Sequence, residues 1–220
     1  DPDAVLSIAR NQLGTEEKPA GVKMRPWQEP MTCVKPEVSD NMEVAMPMFD
    51  LAFKCEPVGT GTSAIRTEMV ADLAAEALFG ESSELYLKLY EEGLIDSSFG
   101  GGFETMDGCA MLLCTGDSEA PEAIREALLN RAEEIAREGV EEETFLRLKR
   151  SAFGRRIRGL DSFDATCFRL CAYHFSGFDY FDFPRVYERI TGEEIREFLS
   201  RVVRADRCSL SVISPIAQED

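Results

Sequence analysis

Residues 78–99 read LFGESSELYLKLYEEGLIDSSF, and this stretch holds a helix end, a second helix and the approach to a strand. The alanine-rich segment before it stops at Gly80. Ser82 or Ser83 then offers a hydroxyl to the unpaired N–H groups of the next turn, an N-cap worth about 1 kcal/mol. Leu85 with Leu89, and Tyr86 with Tyr90, stand at the four-residue spacing that places each pair on one helical face. Gly93 closes the helix, because glycine accepts the left-handed backbone that other residues resist.

Upstream of this stretch, Thr60 to Phe79 puts Ile65, Met69, Leu73 and Ala77 on one face and Arg66, Asp72 and Glu76 elsewhere, the period of a helix resting on a core. Two strands are expected before it, Met31 to Glu37 and Met42 to Cys55, separated by the turn-prone Val38-Ser39-Asp40-Asn41. Pro47 marks an edge position or a bulge in the second. Residues 1 to 14 read as a short helix, and Thr15 to Pro30, with Pro19, Gly21, Pro26 and Pro30, as a linker anchored by Trp27. Downstream, strands are expected at Asp96 to Thr105 and Cys109 to Thr115, joined by an Asp107-Gly108 turn. The second is apolar throughout, which predicts burial on both faces. Helices follow at Ala120 to Glu138, Glu141 to Arg158, Phe163 to Phe175, Pro184 to Ile190 and Glu193 to Val203. Thr191 and Glu194 have capping-box spacing before the last of them. A closing strand begins at Cys208. Strand pairs joined by turns and interrupted by helix pairs predict an α+β fold, a two-layer and mostly antiparallel sheet with helices on one face.

The segment resembles the "G-x-SS-x-LY…L-x-E-x-GL" stretch of the insulinase/pitrilysin family of zinc metallopeptidases, peptidase family M16 or inverzincins. The matching residues are Gly80, Ser82, Ser83, Leu85, Tyr86, Leu89, Glu92, Gly93 and Leu94. The likeness extends more weakly to Asp1–Leu13, Gly139–Lys149 and Thr191–Leu199. It implies a mitochondrial-processing-peptidase-like metallohydrolase domain, most similar to the second, C-terminal and non-metal-binding domain of a half-length bacterial subunit. Residues 1–30 would then be a lead-in helix and linker from the preceding domain, and residues 31–220 the C-terminal domain.

Composition narrows the partners. With 24 basic and 41 acidic residues the formal charge is −17, which argues against nucleic acid and against an anionic membrane surface. No run is long and apolar enough to cross a bilayer, and the first residues lack the zones of a signal peptide. Asp1-Pro2 reads as an N-cap and a first-turn proline with nothing before it, so the chain is expected to be a piece of a longer protein. Seven cysteines, odd in number and without a C-x-x-C pair, predict reduced and mostly buried thiols in a cytoplasmic protein.

The chemistry is limited by a single histidine, His174. An inverzincin needs two in H-x-x-E-H, so no catalytic, cofactor-binding or metal residue is expected in this chain, and zinc is expected in the preceding domain. Cys167, Cys171 and His174 do recur along one helix face with Asp164 a turn earlier, a donor set that zinc accepts. Their apolar and aromatic neighbours Phe168, Leu170, Tyr173 and Phe175 favour a core role for the thiols instead. A Cys–His nucleophile pair has no supporting local pattern. Arg147 to Arg158, RLKRSAFGRRIR, reads as a solvated face neutralised by Glu133, Glu134, Glu138 and Glu141–Glu143, or else as a positive wall for acidic peptides or a partner subunit. Gly100-Gly101-Gly102 is no phosphate loop and marks a bulge or a close backbone approach.

By the resemblance, the substrate-clamping half of these proteases carries an arginine and a tyrosine at the positions of Leu89 and Asp96. Neither residue here does that work, which implies either the zinc-bearing half or a degenerate clamp. The expected function is that of a non-catalytic domain: chamber wall, substrate enclosure and subunit contacts for peptide hydrolysis by the intact protein. Its partners would be the preceding metal-binding domain, a partner half-subunit or second copy, and a peptide substrate. The alternatives are a structural or assembly module from a member that has lost the metal motif, and an unrelated acidic binding module.

Overall fold

The computed structural model describes residues 1–13, 29–106 and 108–216. In chain order it contains α1 (Pro2–Leu13), β1 (Glu37–Met42), β2 (Met48–Cys55), α2 (Gly61–Phe79), α3 (Glu84–Glu91), β3 (Gly100–Met106) and β4 (Cys109–Asp117). Then follow α4 (Pro121–Glu138), α5 (Glu142–Arg158), α6 (Phe163–Phe175), α7 (Phe183–Glu188), α8 (Gly192–Val202) and β5 (Cys208–Pro215). The strands form one sheet in the order β1-β5-β2-β4-β3. β2 runs antiparallel to β4 and β5, and β3 antiparallel to β4, while β1 lies parallel to β5 at the far edge. The α+β architecture with a mostly antiparallel sheet is therefore present.

One face of the sheet builds the core. Phe49, Leu51, Phe53 and Cys55 alternate inward from β2, Ala110, Leu112 and Cys114 from β4, and Cys208, Leu210 and Val212 from β5. α2 lies against them, burying Ile65, Met69, Leu73 and Ala77 as its periodicity predicts. Its alanines at 64, 71, 74 and 75 are buried too, and their small side chains let the helix come close to its neighbours. Burial pushes the thiols of Cys55 and Cys208 up, to about 12 and about 11, so both behave as small core hydrophobes.

Local signals set the helix ends. The Ser83 hydroxyl accepts from the Tyr86 N–H at 3.1 Å. Gly93 has φ +70°, the left-handed cap expected of it, and Leu85 and Leu89 are buried. The Thr191 N–H donates to Glu194 at 2.9 Å at the start of α8. No helix among the described residues is long and apolar enough to cross a membrane.

Four expectations are corrected. Met31–Glu37 is not a strand; the first strand is Glu37–Met42, which includes the segment expected to turn, and all six of its residues are exposed. Polar residues are tolerated there because an exposed edge strand has no core face to fill. The second strand starts only at Met48, with Pro47 before it and the Pro47 carbonyl accepting from the Ser118 N–H at 2.9 Å. β4 is buried on one face only: Cys109, Met111 and Leu113 on its other face are half-buried, because every packed helix lies on the opposite side. The thiols are not mostly buried, since Cys167 and Cys171 are exposed and Cys33 and Cys109 intermediate. The linker with Trp27, and Asp107 of the hairpin turn, lie outside the described residues; Gly108 of that turn has φ +77°.

Candidate functional site

A cleft of about 1210 Å³ opens where β3, α2, α5 and α6 meet. Its floor is the start of β3, Gly100 to Gly102, and its walls carry Asp72 and Glu76 of α2, Arg147, Arg155 and Arg156 of α5, and Phe168, Arg169 and Tyr173 of α6. Tyr86, Tyr187 and the carboxylate of Glu81 also line it.

The three glycines differ in what they permit. A side chain on Gly101 would run into the Leu113 carbonyl on β4, so close strand approach demands glycine there, as the sequence predicts. Gly100 and Gly102 have open space where a Cβ would stand, and packing does not demand glycine at either. The effect is a length of bare backbone facing the cleft. β3 is also the last strand of the sheet on this side, so half of its N–H and C=O groups point away from β4. Among the described residues no backbone hydrogen bond reaches β3 from anywhere but β4.

The arginine-rich stretch resolves into distinct roles. Arg156 donates to Asp72 at 2.8 Å and to the Tyr173 hydroxyl at 3.2 Å. Burial opposes its charge, but Tyr173 and Asp72 outweigh that and hold the guanidinium above its ordinary pKa. Arg155 donates to Glu76 at 2.5 Å. Arg147 donates to Ser82 at 2.9 Å, and Lys149 to the carbonyls of Glu188 and Ile190, where a cation suits a helix C-terminus. The carboxylates paired with Arg156 and Arg155 are thus Asp72 and Glu76 across the helix interface, not the expected Glu133, Glu134, Glu138 and Glu141–Glu143. Sequence distance hid this pairing, since α2 and α5 are far apart along the chain.

Tyr187 and Arg169 escaped the reading of the sequence. The Tyr187 hydroxyl is buried without a hydrogen-bond partner, and burial pushes the phenol up to about 12. The Arg156 guanidinium stands 6.0 Å from its ring centre, within reach of a cation–π contact. Arg169 donates weakly to the Tyr180 hydroxyl at 3.5 Å and has no carboxylate partner among the described residues.

The α6 residues are placed together but not as a core. Asp164, Cys167, Cys171 and His174 are all exposed, so the core role expected for the two thiols is wrong. Among the described residues no group of three or more His, Cys, Asp or Glu side chains is placed to hold a metal ion. Leu89 is sealed in the core. Asp96 is exposed and accepts from the Ser98 N–H at 2.7 Å. The two positions therefore differ in environment, one buried and one exposed.

Comparison with known proteins supplies the context. A family model described as the peptidase M16 inactive domain matches residues 1–152. A zinc protease from Bacillus subtilis (strain 168), YmfH, described as uncharacterized, is 27% identical over 222 residues, covering 98% of this chain and 51% of that protein. The crystal structure of a putative M16-like peptidase from Alicyclobacillus acidocaldarius superposes with a TM-score of 0.87 at 22% identity, over 98% of this chain and 52% of the other. The inactive peptidase domain of a putative zinc protease from Bordetella parapertussis gives 0.65 at 13% identity, over 82% of this chain and 96% of that one. The chain thus spans about half the length of its full-length relatives.

Proposed function

This chain belongs to the peptidase M16 inactive-domain family, and from that premise we propose that it is the non-catalytic domain of a zinc-dependent peptidase, acting as a wall that seats the peptide. Hydrolysis belongs to the intact protein, with zinc held by the preceding domain. The observation that carries the reading is the open β3 edge on the floor of the arginine-lined cleft. An extended peptide adds to such an edge through main-chain hydrogen bonds, leaving its alternate side chains for the surrounding walls. Gly100 and Gly102 keep that edge clear of side chains.

Two exposed surfaces support the contacts with other parts of the assembly. α1 buries none of its residues, although Val5, Leu6 and Ile8 are apolar and exposed, which suits a lead-in helix that packs on the preceding domain. α6 exposes Phe163, Phe168 and Phe175, which suits contact with a partner half or second copy. Seven free thiols support a reducing, cytoplasmic setting.

The test is photo-crosslinking in the full-length protein, treated with a chelator so that no peptide is cut. A peptide carrying a benzophenone at successive positions should form adducts within residues 99–106 and along the cleft walls of α5 and α6. Adducts confined to other surfaces would refute the seat.

A further inference from the structure

The cleft differs in sign from the chain that surrounds it. Four guanidinium groups face three carboxylates in its lining, in a chain whose formal charge is −17. Pairing sharpens the contrast: Asp72 and Glu76 are taken by Arg156 and Arg155. Among the described residues Arg147 and Arg169 have only neutral hydroxyl partners, Ser82 and Tyr180. Glu81 is the acidic rim group without a guanidinium partner among the described residues. Below them the Tyr187 hydroxyl is buried and unpartnered, a donor with nothing to receive it. Buried polar groups are normally satisfied, and an orphan on a cleft wall calls for a ligand acceptor or an ordered water.

We propose that the cleft selects extended peptides bearing acidic side chains, with Arg147 and Arg169 as the residues that read the charge and Tyr187 as an additional donor. This rests on the reading of the cleft as a peptide seat. Main-chain pairing to β3 is blind to sequence, so selectivity must come from the walls. A guanidinium offers a fork of donors matched to a carboxylate, and such charge-assisted hydrogen bonds are roughly twice as strong as neutral ones. A locally positive cleft in a strongly acidic chain also concentrates attraction there, because a net negative charge repels the same peptide at a distance. Side chains at alternate positions of a bound strand point the same way, so acidic residues two or four apart would meet the same wall.

Two fluorescent peptides of identical sequence, one with glutamates and one with glutamines at alternate positions, are titrated into the chelator-treated full-length protein at low ionic strength. The acidic peptide is expected to bind about tenfold more tightly, with the preference shrinking as salt is added. Arg147→Gln with Arg169→Gln should bring the ratio of the two affinities to about one. Arg147→Lys with Arg169→Lys should keep part of it, which guards against a folding defect in the first variant. Equal binding of the two peptides by the wild type, or a preference that survives the double Gln variant, overturns the proposal. Hydrogen exchange at Gly100–Gly102 separates it from the seat itself. Slowing by both peptides without preference leaves the seat standing and removes the charge reading; preference without slowing keeps the charge reading and removes pairing to β3.

Discussion

α2 and α6 are both rich in apolar residues, yet α2 buries eleven of its nineteen residues and α6 buries none of its thirteen. The difference lies in side-chain size and in what each helix rests on. α2 lies across the sheet with alanines at its closest approaches, whereas α6 stands outside with Phe163, Phe168 and Phe175 projecting. Apolar content alone therefore does not decide burial. A helix joins the core only where a second apolar layer is available to cover it; α6 meets the core through Leu170 and Tyr173 alone, and among the described residues nothing covers its outer face.

The largest expected effect tests that contrast directly. Leu73→Ala in α2 removes a fully buried side chain and should cost about 2–5 kcal/mol, read as a drop in the midpoint of urea unfolding. Phe175→Ala in α6, at 84% exposure, should change the same midpoint by no more than about 0.5 kcal/mol. A large loss from Phe175→Ala would mean that the outer face of α6 packs on this domain after all.

Gly101→Val probes the edge that α6 overlooks. Its side chain would meet the Leu113 carbonyl, and moving β3 off β4 should cost about 1–3 kcal/mol. Gly102→Val, with open space around the added atoms, should leave thermal stability almost unchanged. Equal melting temperatures for the two variants would show that the strands do not approach as closely as described.

The smallest effect concerns Glu194 at the start of α8, on the sealed side of the comparison. Burial opposes its ionisation, but hydrogen bonds from Arg66 and Thr191 outweigh that and hold the carboxyl below its ordinary range. A carboxylate depressed in the folded state contributes stability above its unfolded pKa and loses it as pH falls through the folded one. Glu194→Gln should therefore destabilise at neutral pH by about 1 kcal/mol. The gap to wild type should close as the pH drops below about 4. A gap that stays constant with pH would mean that the carboxylate's charge plays no part.

The sequence by itself determined the elements whose signals are local. Ser83, Gly93 and the Leu85/Leu89 spacing fixed α3, and the pattern Ile65, Met69, Leu73, Ala77 fixed the inward face of α2. Capping hydrogen bonds and helical periodicity depend only on residues a few positions apart. The same segment also carried the family resemblance, and the lone His174 excluded an inverzincin motif within these residues whatever the fold. Tertiary structure alone decided the rest. The turn-prone residues 38–41 became a strand because β5 offered them a parallel edge. β4 is half-exposed on one face because the helices pack only on the other. The thiols of α6 face outward because no second layer covers them. The cleft was not legible, because Asp72 with Arg156, and Glu76 with Arg155, are partners separated by 84 and 79 positions. No periodicity encodes such a pairing, which exists only once the sheet has brought α2 and α5 side by side.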